Sequence, residues 1–174
     1  LAAKKVITDG LIIDPARPTI TKTRVMAGGQ ATVRQQVVRI DKESKEPLSP
    51  AVEQQLIHYI EANLQNMDAV VLSDYGGQTL SANIRAKVIS ACNTAGIPSI
   101  VDSRYNILAF PGVTAVKQNE AETAIALGLP AIDSLTAVEA AGQALLDRMA
   151  AQVVLITRGP EGMSLFERGG RVHH

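Results

Sequence analysis

The chain has 174 residues, and its 17 lysines and arginines are balanced by 17 aspartates and glutamates, so the formal net charge is +0. A chain without net charge has no overall field that attracts nucleic acid or an acidic membrane surface. Aromatic residues make up only 3%, which argues against a stacking surface for single-stranded nucleic acid, whereas 46% hydrophobic residues suffice for an aliphatic core. We therefore expect a globular protein whose partners are neither nucleic acid nor membrane.

Cysteine content and the chain ends suggest where the protein works. The single cysteine, Cys92, cannot form an internal disulfide, and cysteine and histidine residues do not cluster with zinc-finger spacing. Apolar runs are far shorter than the roughly 20 residues that cross a bilayer, and the first nine residues lack a signal-peptide core. These features predict a cytoplasmic protein. Because the chain starts with Leu1 instead of Met and stops at His174 after a glycine pair, we expect part of a longer protein.

Two β-rich segments near the N-terminus, 19–26 and 33–40, flank a glycine-containing turn at 27–30. The first segment alternates polar and apolar residues and the second is rich in valine, which predicts a partly solvated antiparallel pair. The exposed β character of the pair predicts that it forms a homodimer interface. The one domain boundary that the sequence suggests separates these strands, 17–41, from a core formed by 1–16 and 42–174.

From Ser49 onward, helix and strand patterns alternate. Ser49 and Pro50 suit the N-cap and first position of a helix that reaches about Gln65. The predicted buried strands are 68–77, 97–102, 113–116 and 153–157, and the helices between them are 80–95, 119–127 and 134–150, with Gly96 and Gly128 closing the first two. A turn at 158–162 leads to 163–166, a predicted hairpin partner at the sheet edge. This order predicts an α/β domain with a mainly parallel sheet and helices on both faces.

Ligands of open α/β sheets bind beyond the carboxyl ends of the strands, where helix N-termini and loop amides point. The polar residues at the four predicted strand ends are Ser73, Asp74 and Tyr75, then Asp102, Ser103 and Arg104, then Lys117, Gln118, Asn119 and Glu122, and finally Thr157, Arg158 and Gly159. Each also has a structural explanation, since Asp74 and Asp102 can form turns and Asn119 can cap its helix together with Glu122. Phosphate-loop, G-x-G-x-x-G and G-x-S-x-G motifs are missing from the sequence, and Cys92 lies on an apolar helix stripe typical of a core residue.

Taken in order, four segments resemble the ribokinase-like pfkB family of carbohydrate kinases. They are R-P-T-x-x-K-T-R-V at 17–25, V-V-R-I-D at 37–41, V-V-L-S-D-Y-G at 70–76 and T-R-G-x-x-G-M-S-L-F at 157–166. The likeness runs from about Asp9 to Arg171 and is greatest to the branch that phosphorylates heptose 7-phosphate at its anomeric hydroxyl. It implies a three-layer α/β fold with a small β lid, a sugar substrate, and ATP and Mg²⁺ as cofactors.

The resemblance also implies a nucleotide site. Asn119 and Glu122 match the N-x-x-E element that organises Mg²⁺ and the nucleotide phosphates, with Glu122 acting on the metal through water. Thr157, Gly159 and Gly162 match the T-x-G-x-x-G element beside ATP, where small residues let the backbone approach the ligand. These five residues are the predicted ATP-binding set.

The substrate cleft follows from the same resemblance. Asp74 and Tyr75 would face the cleft, and Lys22 and Arg24 would lie on the lid strands over the sugar. The family also carries an N-terminal glycine pair with an aspartate that holds the sugar, and a G-A-G-D element that supplies the general base and an anion hole. Neither occurs in this sequence, so we expect no catalytic residue in this chain and no activity from it alone, the parent protein being the enzyme.

Three further positions differ from the family pattern. Gln118 stands where a proline is usual, and Arg104 and Gly77 stand where lysines are expected. Two alternatives stay open at this point. One is a non-catalytic α/β nucleotide- or sugar-binding regulatory domain that kept the kinase core without its chemistry, and the other is an active enzyme whose end segments are merely left out of the sequence.

Overall fold

The computed structural model describes residues 2–29 and 32–174. Its strands and α-helices, in chain order, are β1 Thr21–Ala27, β2 Gln35–Lys42, α1 Pro50–Asn63, β3 Val70–Asp74, α2 Ala82–Ala95, β4 Ser99–Ser103, β5 Ala115–Asn119, α3 Glu120–Leu127, α4 Leu135–Met149, β6 Val153–Thr157, β7 Met163–Glu167 and β8 Val172–His173. The predicted elements are therefore present, with shifts of a few residues at their ends. Gln30, in the predicted turn of the first strand pair, lies outside the described residues.

Serine side chains and left-handed glycines set the ends of the helices. The Ser49 hydroxyl accepts a hydrogen bond from the Val52 amide at 3.3 Å, and Pro50 takes the first helical position as predicted. Ser81 and Ser134 cap α2 and α4 in the same way. Gly96 ends α2 with φ +70°, a conformation that strains other residues.

The six-stranded sheet has the order β3-β4-β5-β6-β7-β8. The first four strands are parallel, and β7 and β8 continue the sheet in antiparallel pairing. The α/β class and the mainly parallel sheet are as predicted. The placement of 163–166 at the sheet edge is wrong, because Val172 pairs with Phe166 and so places β8 outside β7.

The hydrophobic core lies on one face of this sheet. Leu72, Val101, Val116 and Val154 point into it and are at most 4% exposed. On the opposite face, Val71 is 66% exposed. This pattern differs from the expectation that helices cover both faces. Because β3 to β6 are neighbours in chain order, right-handed crossovers place the intervening helices on the same side.

Helices α2 and α4 supply the other half of this core. Their buried residues include Ile84, Val88 and Cys92 of α2 and Val138 and Leu145 of α4. Cys92 is completely buried, and this burial raises the pKa of its thiol. The assignment of Cys92 to the core is therefore confirmed by its position.

Helix α4 packs on the sheet at Gly142, where the structure leaves no room for a larger side chain. A methyl group added at Gly142 would overlap the ring of Phe166, which is 2% exposed and enclosed by the core. An alanine normally stabilises a helix interior by about 1 kcal/mol relative to glycine. We expect Gly142→Ala instead to lower the free energy of unfolding by about 1–3 kcal/mol, as overpacking does.

Urea denaturation of the chain measures this change. Ala140, on the exposed side of the same helix, provides the control. There Ala140→Gly should cost about 1 kcal/mol from helix propensity alone. A rise in stability for Gly142→Ala would show that Phe166 does not fill the space described.

Candidate functional site

The carboxyl ends of the four parallel strands form a single edge, here named the strand-end rim and defined by Asp74, Ser103, Asn119 and Thr157. Asn119 is paired with Thr157 in the register of β5 and β6, and Asp74 is paired with Ser103 in that of β3 and β4. The segments that follow Asn119 and Thr157 therefore leave the sheet side by side. The structure brings together the two predicted nucleotide-binding elements.

Asn119 and Glu122 hold each other at the start of α3. The Asn119 side-chain oxygen accepts a hydrogen bond from the Glu122 amide at 2.8 Å, and Glu122 Oε2 accepts one from the Asn119 amide at 3.1 Å. This is a capping box, which satisfies two amides that the helix leaves unpaired. The helix cap that the sequence suggested is therefore present. A ligand that contacts Asn119 or Glu122 must bind without breaking these two hydrogen bonds.

Thr157, Gly159 and Gly162 form the second predicted element. The Thr157 hydroxyl donates to the Gln118 carbonyl at 3.4 Å, which ties β6 to β5 at the rim. Gly159 and Gly162 have φ values of +55° and +88°, and an added Cβ at either position would meet no atom within 4 Å. The glycines are therefore required by backbone conformation, and the space beside their backbone is open.

Arg158 connects the two elements. Its Nε donates to Glu120 Oε1 at 3.0 Å, and its Nη2 contacts Glu161. The Arg158 side chain is only 12% exposed, whereas the Glu161 side chain is 68% exposed. Sequence reasoning placed Arg158 at a strand end but gave it no role, because its partner Glu120 is adjacent to it only after β5 and β6 pair.

At the other end of the strand-end rim, Asp74 organises a turn. Its Oδ1 accepts from the Gly76 amide at 2.9 Å, and its Oδ2 accepts from the Ser103 hydroxyl at 2.8 Å. Both carboxylate oxygens therefore have partners within the protein. Tyr75 follows on the surface with 63% of its area exposed. Of the two predicted cleft residues, Tyr75 is the more accessible.

Gln118 of β5 stands where the family resemblance predicted a proline, and its side chain is buried against β4. It is 1% exposed, and its side-chain amide donates to the Ser103 carbonyl at 2.7 Å and to the Lys117 carbonyl at 3.0 Å. A buried amide that donates to the backbone of two neighbouring strands fixes their ends relative to each other. Gln118 thus links the Asp74 and Asn119 parts of the strand-end rim, a role that its position in the sequence did not suggest.

The predicted lid strands β1 and β2 form the second, two-stranded sheet. Lys22 lies opposite Asp41 and contacts Asp41 at 3.1 Å and Glu43 at 2.6 Å. The hydrogen bonds that Lys22 donates to Glu43 and Asp41 raise the pKa of Lys22, and Lys22 in turn lowers the pKa of Asp41. Arg24 lies opposite Arg39, so two guanidinium groups occupy neighbouring positions on one face of the lid.

The segment preceding β1 connects the lid to the strand-end rim. The Arg17 guanidinium donates to the Gly77 carbonyl, just after the Asp74 turn. An added Cβ at Gly77 would lie 2.8 Å from Ile20, so a side chain there would push against the base of the lid. Gly77, where the resemblance predicted a lysine, thus lets the segment before β1 approach closely.

The predicted contact of Mg²⁺ at the strand-end rim is Glu122. Among residues 2–29 and 32–174, no three side chains of His, Cys, Asp or Glu come close enough together to hold a metal ion. Glu122 offers a carboxylate, and one of its oxygens is used in the capping box. This donor set fits a contact to Mg²⁺ through water and does not form a protein cage, in keeping with the few protein ligands Mg²⁺ usually takes.

Solved structures with the same arrangement define the class of the fold. Phosphofructokinase-2 from Escherichia coli, in complex with potassium, superposes with a TM-score of 0.61 at 20% identity over 82% of this chain and 45% of that chain. Ribokinase from Arabidopsis thaliana, complexed with ribose and ATP, gives 0.59 at 18% identity over 91% of this chain and 48% of that one. The fold is therefore ribokinase-like.

The family follows from the sequence comparison. The model of the pfkB family of carbohydrate kinases matches residues 1–174, and the chain belongs to this family. Relatives named bifunctional protein HldE include one from Pelobacter propionicus, 36% identical over 97% of this chain, and one from Azorhizobium caulinodans, 42% identical over 94% of it. The chain spans about a third of their length, 34% and 33% respectively.

Within the described residues, helices suited by length and hydropathy to cross a bilayer were not found.

The capping box leads to a stability prediction. Asn119→Ala removes the side-chain acceptor of the Glu122 amide, so we expect the free energy of unfolding to fall by about 1 kcal/mol. Asn119→Asp keeps an acceptor at the N-cap and should stay within about 0.5 kcal/mol of the wild type. Urea titration of the three proteins measures both changes, and equal losses for the two variants would contradict the described cap.

Proposed function

We propose that the protein containing this chain transfers a phosphoryl group from ATP to a hydroxyl of a sugar or sugar phosphate, with heptose 7-phosphate as the preferred acceptor. The observation that carries the proposal is the direct pairing of Asn119 with Thr157, which sets the N-x-x-E and T-x-G-x-x-G elements side by side at the carboxyl edge of a parallel sheet. Family membership supports the same reaction class.

In this proposal the nucleotide binds mainly through backbone groups. The N-terminus of α3 carries amides and the positive end of the helix dipole, which favour phosphate oxygens. Gly159 and Gly162 leave open space beside their backbone, so the nucleotide can approach there without steric conflict. Glu122 would hold Mg²⁺ through water while it keeps its cap hydrogen bond, and the metal when bound would offset charge on the phosphates.

The acceptor hydroxyl needs a carboxylate that takes its proton as the new bond to phosphorus forms. Asp74 is poorly suited to this role, because both its oxygens already accept hydrogen bonds from Gly76 and Ser103. The sequence has no G-A-G-D element. We propose that the base comes from a part of the protein outside this chain, and that the chain alone supplies nucleotide positioning and the lid without turnover.

The lid gives support for a phosphorylated sugar. Arg24 and Arg39 lie directly opposite each other on β1 and β2. Like charges in this arrangement repel, and because Arg39 already donates to Asp41 at 2.9 Å, an anionic group bound here would mainly compensate Arg24. Asp74 and Tyr75 would border the same cleft, with Tyr75 exposed and Asp74 shaping the turn. The hydroxyls of the sugar would be read largely by residues outside this chain.

Kinase assays of the full-length gene product with Mg²⁺, ATP and heptose 7-phosphate test the proposal. We expect a stoichiometric heptose bisphosphate product from the full-length protein and none from the 174-residue chain. Gly159→Val should raise KM for ATP about tenfold or more, because it strains the backbone beside the nucleotide. Gly169→Val is the matched control, since Gly169 also has positive φ but lies in the turn before β8.

The outcomes separate the two candidate functions. ATP binding by the full-length protein without phosphorylation of any sugar would favour the non-catalytic binding domain. Equal KM values for the Gly159 and Gly169 variants would remove the second glycine-containing element from the nucleotide site. Activity of the 174-residue chain would refute the assignment of the general base to another part of the protein.

We also propose that the full-length protein is cytoplasmic and forms a homodimer through β1 and β2. Exposed aliphatic side chains on these strands support the dimer, with Val37 65% and Ile40 58% exposed. Patches of this kind on a strand pair are typical of protein interfaces. Light scattering should give twice the protomer mass, and Val37→Lys with Ile40→Lys should return it to the monomer mass. A monomeric wild type would contradict the dimer.

A further inference from the structure

Arg158 joins the two loops of the strand-end rim that the proposed function assigns to the nucleotide. It lies between Thr157 and Gly159 on one side and reaches Glu120, next to Asn119, on the other, at 3.0 Å. Its guanidinium also contacts Glu161 in the short turn before Gly162. A single side chain thus bridges the N-x-x-E and T-x-G-x-x-G elements.

The local charges show why such a bridge matters. Glu120 and Glu122 occupy the first turn of α3, and Glu161 lies in the neighbouring loop, so the two loops proposed to bind a polyphosphate carry three carboxylates. Unpaired carboxylates on these loops would repel a polyphosphate anion bound beside them. Arg158 pairs with two of the three, Glu120 and Glu161, and so offsets part of the negative charge on these loops.

Arg158 and its partner Glu120 are both shielded from water to a large extent. The Arg158 side chain is 12% exposed, and the Glu120 side chain is 31% exposed. The pair with Glu120 is therefore less screened by water than the pair with Glu161, whose side chain is 68% exposed, so loss of the guanidinium affects Glu120 most. The planar guanidinium also forms two separate contacts with fixed geometry, which an ammonium cannot reproduce.

We propose that Arg158 is a positioning residue that sets the spacing of the two nucleotide loops and offsets part of the charge of Glu120 and Glu161, so that the rim accepts the triphosphate of ATP. The proposal rests on the proposed function. Arg158 acts through its two carboxylate partners and not by contact with the reacting atoms. The anionic ligand is held by the loops, and Arg158 weakens the repulsion that would otherwise oppose it.

Steady-state kinetics of the full-length gene product test this role. We expect Arg158→Ala to raise KM for ATP about tenfold while kcat stays within about twofold, because ground-state binding of the anion is lost. The increase should be larger at low ionic strength. Arg158→Lys keeps the positive charge but loses the planar guanidinium with its two contacts, so it should give a KM between those of the wild type and Arg158→Ala.

A charge-compensation experiment distinguishes this role from simple packing. Adding Glu120→Gln and Glu161→Gln to Arg158→Ala removes the uncompensated charge, and KM for ATP should return to within about threefold of the wild type. Arg171→Ala is the matched control, because Arg171 is 79% exposed and pairs with Glu167 away from the rim. This control should leave KM unchanged.

The possible results are distinct. If Arg158→Ala leaves KM within twofold, or if the added glutamines do not restore it, the positioning role is overturned while the proposed function stands. If the wild type neither binds fluorescently labelled ATP nor phosphorylates a sugar, both proposals fail. Circular dichroism checks folding, and if Arg158→Ala does not fold, the Arg158→Lys variant and the triple variant provide the same comparison.

Discussion

The parallel pairing of β5 with β6, in the register that sets Asn119 beside Thr157, is the constraint on which the site depends. The two residues are 38 positions apart in the chain, and only this pairing makes the loops that follow them neighbours. The Gln118 carbonyl strengthens this pairing by accepting from the Thr157 hydroxyl, and the Gln118 side chain ties β5 to β4. The buried face beneath, with Val116 and Val154, holds the pairing in place.

At the strand-end rim, the side chains that the family resemblance marks as functional are also structural. Asn119 and Glu122 form a helix cap, and Asp74 forms a turn with Gly76 and Ser103. These structural roles are compatible with ligand binding if the ligand contacts backbone groups that the side chains hold in place. The helix N-terminus and the open glycine backbone offer such groups, and the capping residues then keep them in place.

Much of the fold could be predicted from the sequence because its signals are local. Ser49 followed by Pro50, and Gly96 after an apolar stripe, specify helix ends through short-range hydrogen bonds and backbone conformation. The uninterrupted run at 153–157 specifies a buried strand. β8 was missed because two residues, Val172 and His173, give almost no pattern. The exposure of Val71 was missed because an apolar residue carries no information on what covers it.

The site was predictable to a lesser degree. The order of short motifs indicated which strand ends to compare, but the bridge from Arg158 to Glu120 depends on register between strands that are distant in sequence. The burial of Gln118 depends on the same register. Their hydrogen-bond partners are therefore properties of the assembled sheet and not of any segment of the chain.

The most direct test of the central claim maps nucleotide binding on the chain itself by NMR. On titration with Mg²⁺ and ATP, backbone amide shifts should change together in the Asn119–Glu122 and Thr157–Gly162 segments, because one ligand contacts both loops. Shift changes confined to one of these segments, or located in α2 instead, would contradict a nucleotide site formed by both loops.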